Sequence, residues 1–444
     1  MPQRPPARAS LLETVRLAAT VFLPTAAQGA TLRRPRMVRL AAGCDANRRA
    51  HRTLARLRRR HGEGPVSVLV PGRRVLLLLS PQDARRMLTA TPATREKTGG
   101  LRHFPPNTVP IGPTEVRPEQ HAFNEAVLDW DASAHQLFPA LTPRIHDEAQ
   151  ALLALVGSSG RPLHWEDFSA AFRRITRRIV LGDAARDDHR VTELLDRLRA
   201  DADWLTLRKP KERIRDAFLA RVRAYVDSAE PDSLAALVAA APCPESAEPL
   251  GQIPHWLFAY DAVSIATYGA LALLASHPEH AARVRTELDD ADPAQPATAD
   301  ALPLLRACIL ESLRLWPLPP AIHRDTTAET TWHNGTTTPA DTTVVFYRSF
   351  FHRDPQHLVH ADHFEPDAWL DGRNEDNWAL APLSHGPAKH PGQDLVLYTA
   401  ATLLSALLRD HKALLLLPRR PLAPPLPLPH TIDHISLRFA LTPK

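Results

Sequence analysis

A helix that is apolar on every side constrains this chain more than any other feature. Hydrophobic residues dominate from about 252 to 276, and such a helix is stable only when it is buried all round. With 444 residues and 44% hydrophobic content, the chain can build the large core that this requires. Asp261 interrupts the run, between Tyr260 and Ala262. A carboxylate in so apolar a stretch is costly without a partner or a cavity. Asp261 is therefore a candidate for chemistry, whereas Phe258 and Tyr260 read equally well as packing residues.

Helical patterns also dominate from about 119 to 228. Val66 to Val70, a Pro71-Gly72 turn and Val75 to Leu79 predict a hairpin, since apolar β-branched runs flank a turn dipeptide. Ser80-Pro81 then opens a helix, with serine as cap and proline at the first position. Proline, at 43 residues, is about double its ordinary usage and glycine, at 17, about half, which predicts short, stiff connections. Residues 90–118 are loop-rich, 241–249 form a link, and Pro418 to Pro429 reads as an extended surface segment. The expected fold class is mainly α with small β-sheets. It spans 1–444 as one domain, with a helical, basic N-terminal segment at 1–40.

Three motifs follow one another in the second half. Glu311 and Arg314 share a helix face and can pair; Leu315-Trp316-Pro317 comes directly after them. About fifty residues later stands Phe364-Glu365-Pro366-Asp367-Ala368-Trp369. Leu383-Ser384-His385-Gly386-Pro387-Ala388-Lys389-His390-Pro391-Gly392 then leads into an apolar helical run from Leu395 to Leu408. In order and spacing these resemble the cytochrome P450 family, with its E-x-x-R helix, its F-x-P-E-R-F/W segment and its haem loop F-x-x-G-x-x-x-C-x-G. Three departures from that pattern bear on the chemistry. Leu383 replaces the loop aromatic, Ala368 replaces the last arginine of the Glu-Arg-Arg triad, and His390 replaces the cysteine. Cys44, Cys243 and Cys308 are the only thiols, and none lies near the loop.

The resemblance implies a cytochrome P450-like fold binding haem b, iron protoporphyrin IX. It places Gly386 and Gly392 in the haem loop and His390 at the iron. Three roles are open to His390: proximal ligand, spectator in a loop whose haem is lost or bound otherwise, or an axial substitution introduced into an ordinary member. Its register with Gly386 and Gly392 favours ligation over His385, and the further changes at Ala262, Ala368 and Ala388 favour natural divergence. Arg324, ten residues beyond Arg314, is similar in position to the family's propionate-pairing arginine. In Pro118 to Asn124, Gln120 and Asn124 stand where the family often has basic residues, leaving His121 as a neighbour.

Counting back from His277-Pro278-Glu279 aligns Phe258 to Val263 with the family's A-G-x-[DE]-T-T. The acid is kept as Asp261, while the alcohol has become Ala262. In a monooxygenase the acid and the hydroxyl relay protons to dioxygen, and imidazole gives a weaker electronic push than a thiolate. The resemblance with these departures implies an enzyme of specialised metabolism acting on a small organic substrate by peroxide-dependent oxidation or oxidative coupling. Asp261 would be the distal acid or base and Tyr260 a pocket residue, with Ser264 and Thr267 as nearby hydroxyls. A redox-neutral reaction (dehydration, isomerisation or N–O cleavage) and a non-catalytic haem-binding role are the alternatives.

Three cysteines without metal-type spacing point to a reducing, cytoplasmic compartment. The net charge of +5 comes mostly from arginine, with seven crowded between Arg48 and Arg60. Such a patch suits an acidic ferredoxin or an anionic membrane surface; without an aromatic platform or a known binding fold it gives no support for nucleic acid. The apolar stretch Leu17 to Ala30 is too short and too interrupted to span a bilayer. It reads as a helix packed on the body, or as a peripheral membrane helix supported by the arginines that follow.

Overall fold

The computed structural model describes residues 4–29, 32–89, 94–96, 118–128, 135–202, 209, 211–242, 249–293, 297–298, 300–386, 389–417 and 422–444. Among these, the architecture is mainly helical with small sheets, as expected. The N-terminal part holds β1 (Ala7–Arg8), α1 (Leu11–Leu17), α2 (Leu23–Gln28), α3 (Pro35–Gly43) and α4 (Ala46–His61). The hairpin β2 (Val66–Val70) and β3 (Arg73–Leu77) follows, then α5 (Pro81–Thr89) and β4 (Thr94–Glu96). Next come α6 (Pro118–Leu128), α7 (Phe138–Ser159), β5 (Leu163–His164), α8 (Trp165–Leu181), α9 (His189–Ala202), α10 (Glu212–Ser228) and α11 (Leu234–Ala240). The second half contains α12 (Pro249–Ser276), α13 (Pro278–Asp290), α14 (Pro303–Leu315), β6 (Ile322–Thr326), β7 (Thr330–Thr331), β8 (Thr337–Thr338), β9 (Thr342–Phe346), α15 (Arg348–Phe351), α16 (Gln393–Leu408), β10 (His411–Leu417) and β11 (Arg438–Pro443).

The apolar helix α12 lies at the centre, packed by α8, α14 and α16, while α7 closes the bundle against α8 and α16. By length and composition it could cross a membrane, but 72% of its most apolar window is buried inside the fold. Tyr398 of α16 stacks on Phe138 of α7 with ring centroids 3.8 Å apart, and Tyr268 of α12 donates to the carbonyls of Leu163 and Leu437. A second core lies under a six-stranded sheet of order β1-β2-β3-β9-β6-β4, built from Leu54 and Leu57 of α4, Val66, Val68, Leu76 and Phe346.

Local signals behave as their chemistry requires. Gly72 takes φ +70 in the hairpin turn, and the Ser80 hydroxyl accepts from the Asp83 amide at the start of α5. The proline-rich expectation at 418–429 holds in part over its described residues: 424–427 are exposed, while the ends are anchored. Leu422 and Leu428 are buried, and the Leu428 and Pro429 carbonyls accept from Arg353, so the segment is pinned to the core at its ends. Of the expected loop at 90–118, the residues outside β4 and Pro118 are not described, and neither are Cys243 and most of the 241–249 link.

The arginine run forms α4, but it is not merely solvated. Arg58 is buried and forms a two-pronged ion pair with Asp354, while Arg52, Arg56 and Arg59 remain exposed. The N-terminal segment packs on the body through Leu17 and Val21, and the Thr20 hydroxyl bonds that of Thr53 on α4. Its other face leaves Leu11, Leu12, Val15 and Leu23 exposed.

Candidate active site

Glu311 and Arg314 are both fully buried on α14 and pair through two contacts of 2.6 and 2.7 Å. Arg314 also donates to the carbonyls of His352, Ala361 and His363, fixing the chain that leads to the 383–392 loop. The arginine missing at Ala368 is replaced by other donors. The Trp369 indole and the Glu365 amide each reach Glu311 at 2.9 Å, and Asp367 pairs with Arg283 on α13. His352 is held neutral by burial. Its Nδ1 lies 3.2 Å from the Arg314 carbonyl and its Nε2 accepts from the Ala381 amide, which fixes the proton on Nδ1. Arg348, buried on α15, donates to the carbonyls of Pro319, Ala381 and Pro382. One guanidinium thus ties the segment after α14 to the entry of the loop.

The loop is folded back on itself, with the His390 amide donating to the Leu383 carbonyl and the Lys389 amide to that of Gly386. Gly386 takes φ +62, which favours glycine, and a Cβ there would crowd the Trp378 ring at 3.1 Å. Gly392 has ordinary φ and space: a Cβ would meet His390 Cε1 at 3.5 Å and Leu128 at 3.8 Å. His385 packs against Trp378 with ring centroids 4.1 Å apart, away from the role of a competing ligand. Ala388 lies outside the described residues.

The residues present fit a haem. His390 is half-buried, its Nδ1 is buried without a hydrogen-bond partner, and burial pushes its pKa down to about 4, leaving the neutral imidazole that binds iron. Arg324 is buried in the middle of β6, and its Nε has no hydrogen-bond partner either. The atoms that the resemblance assigns to the iron and to a propionate are thus both among the buried polar atoms left open inside the fold, as is the Tyr260 hydroxyl. The helix α6 contributes differently from the family pattern. Asn124 donates to Gln252 and accepts from the Trp256 indole, both at 3.3 Å, pinning α6 to α12. His121 sits on α6, with its side chain outside the described residues.

Above α12 lies a cavity of about 690 Å³, bounded by α8, α9, the segment at 318–319 and the turn at 434–435, a size typical of small-molecule sites. Phe258, Asp261 and Ala262 line it. Asp261 pairs with Arg199 of α9 and lies 3.7 Å from Arg173 of α8; both arginines also pair with Asp196. The expensive carboxylate has its partners. Tyr260 is corrected from pocket to core: it is 2% exposed, packs toward Phe172 and is absent from the cavity lining. Its position on α12 directs it into the helical bundle while its neighbour faces the cavity. Ser264 and Thr267 turn their hydroxyls back onto the carbonyls of Asp261 and Val263, so neither offers its proton in place of the missing alcohol.

Sequence reasoning missed Arg173, Asp196 and Arg199. The one local signal was Asp196 three residues before Arg199 on a charge-rich helix; nothing in the sequence marked Arg173 out from the other arginines of its helix.

Comparison with known proteins agrees with this architecture. The sequence model of the cytochrome P450 family matches residues 256–424. The chain is 31% identical over 169 residues to cyclooctat-9-en-7-ol 5-monooxygenase of Streptomyces melanosporofaciens, covering 37% of each. It is 33% identical over 163 residues to cytochrome P450 4c3 of Drosophila melanogaster, covering 34% of this chain and 30% of that one. The matches span about a third of the length of these curated relatives. The fold aligns with retinoic acid bound cyanobacterial CYP120A1 at TM-score 0.71 and 17% identity, over 88% of this chain and 94% of that one. The chain therefore has the cytochrome P450 fold, and its residues 256–424 match the sequence model of the cytochrome P450 family.

Proposed function

We propose that this protein is a haem enzyme acting on a small organic substrate of specialised metabolism, with His390 as the axial ligand and hydrogen peroxide as the oxidant. The observation that carries the reading is the buried, unpartnered Nδ1 of a neutral imidazole at the family's ligand position. Bound there and braced at Arg324, haem supplies redox-active iron, with less electron push from imidazole than from a thiolate. The relatives whose names describe a reaction are monooxygenases, but the distal residues here suit a different supply of electrons. Ala262 offers no hydroxyl, and the Asp261 carboxylate is engaged by Arg199 and Arg173. Reductive activation of dioxygen through a proton relay is therefore poorly served, whereas peroxide arrives with its electrons and protons in place.

The pinned Asp261 also favours a second reading, a redox-neutral conversion in which no oxidant is consumed. Both readings make turnover independent of an NADPH-fed ferredoxin, even though the exposed arginines of α4 would suit such an acidic partner. The test incubates the purified protein with a panel of small organic substrates under three conditions: ferredoxin, reductase and NADPH in air; peroxide alone; and strict anaerobiosis. Product with peroxide alone supports the first reading and product under anaerobiosis the second. Product only with ferredoxin, reductase and NADPH contradicts both.

A further inference from the structure

The cavity wall contains a buried cation that has no direct ion pair among the described residues. Arg177, on α8, is 2% exposed and lines the cavity. Its Nε donates to the carbonyls of Ala185 and Arg186, and its Nη1 donates to the Thr192 hydroxyl at 2.9 Å. Among the described residues it has no ion pair, although buried charges are ordinarily matched by an opposite charge. The carboxylates around it are committed elsewhere. Asp196 and Asp261 serve Arg173 and Arg199, Asp187 pairs with Arg186, and Asp188 takes Arg221 and Tyr225. Glu193, on the cavity wall, pairs with Arg190 at 3.0 Å. Burial pulls the Arg177 pKa down, with Arg174 and Arg173 adding to the shift and the more distant charges of Asp188 and Asp187 opposing it.

The carbonyl bonds hold the guanidinium in one orientation, and its partner Thr192 also lines the cavity. Because the Thr192 oxygen accepts from Arg177, its own proton is available to donate. An N–H and an O–H donor side by side, on a fixed positive charge, match one carboxylate group. The geometry points to a substrate that carries a carboxylate, anchored by Arg177 and Thr192 at the α8–α9 end while its apolar body extends along Phe258 and Ala262. The inference rests on the cavity being the substrate site of the proposed enzyme. Arg177 and Thr192 are positioning residues that set which molecules enter and in which direction.

Calorimetric titration of the full-length protein with 4-phenylbutanoate, 4-phenylbutanol and 4-phenylbutylammonium tests this without any turnover. The carboxylate is expected to bind at least tenfold more tightly than the other two. R177Q should abolish that preference, R177K should keep part of it, and T192V should weaken carboxylate binding severalfold while leaving alcohol binding unchanged. If R177Q does not fold, the T192V result alone decides. Equal affinity for the three compounds, no measurable binding of the carboxylate, or a preference unchanged in the variants overturns the inference. None of these outcomes bears on the haem ligand, which is read separately from the absorption spectrum.

Discussion

At the scale of single residues, the least legible feature was how the chain does without the arginine at 368. The sequence displayed Glu311 and Arg314 at helical spacing but not who would complete the cluster, because the Trp369 indole and the Glu365 amide come from more than fifty residues away. Replacing Trp369 with phenylalanine leaves a buried carboxylate oxygen short of a donor and is expected to cost about 1.5–3 kcal/mol of stability. Arg314→Ala, which strands Glu311 in the core, should cost about 3–5 kcal/mol. Urea unfolding checks both; a loss below about 0.5 kcal/mol for Trp369→Phe would show that the indole does not take the missing arginine's place.

At the scale of elements, α12 was readable and its partners were not. An apolar run with one acid announces a buried helix with a special face, and the structure extends it only from 252 back to Pro249. That Tyr260 faces the bundle and Asp261 the cavity depends on the rotation of the helix, which α8 and α9 set through Arg173 and Arg199. If Asp261 handles protons in the reaction, Asp261→Asn should lower peroxide-driven guaiacol oxidation by about 10²-fold or more with haem content unchanged; equal rates would remove it from the chemistry. The clamp at Arg348 makes a different expectation. Arg348→Met leaves the carbonyls of Pro319, Ala381 and Pro382 without a buried donor, so haem retention on purification and ligand binding in the cavity should fall together. Loss of one without the other would show that the two segments are positioned independently.

Across the whole molecule, the fold followed from motif order and helix pattern, while much of its polar interior did not. Burial lowers the pKa of His51 to about 4 and of His434 to about 3, and holds His352 well below its ordinary value. The unfolded chain therefore takes up protons that the folded one refuses, so this stability is complete above about pH 6.5 and is lost progressively as the pH falls toward 4. Raised carboxyls at Asp196 and Glu287 act in the opposite direction and are outnumbered. Urea midpoints between pH 7 and 4.5 should fall steadily; a flat profile would contradict the account of neutral buried histidines. The central claim, that this fold holds its haem through His390, is tested most directly by the absorption spectrum of the reduced, carbon-monoxide-bound protein. An imidazole-type Soret band that shifts to the thiolate type in His390→Cys is the expected result. A thiolate-type band in the unaltered protein, or no haem uptake even after supplementation, would contradict it.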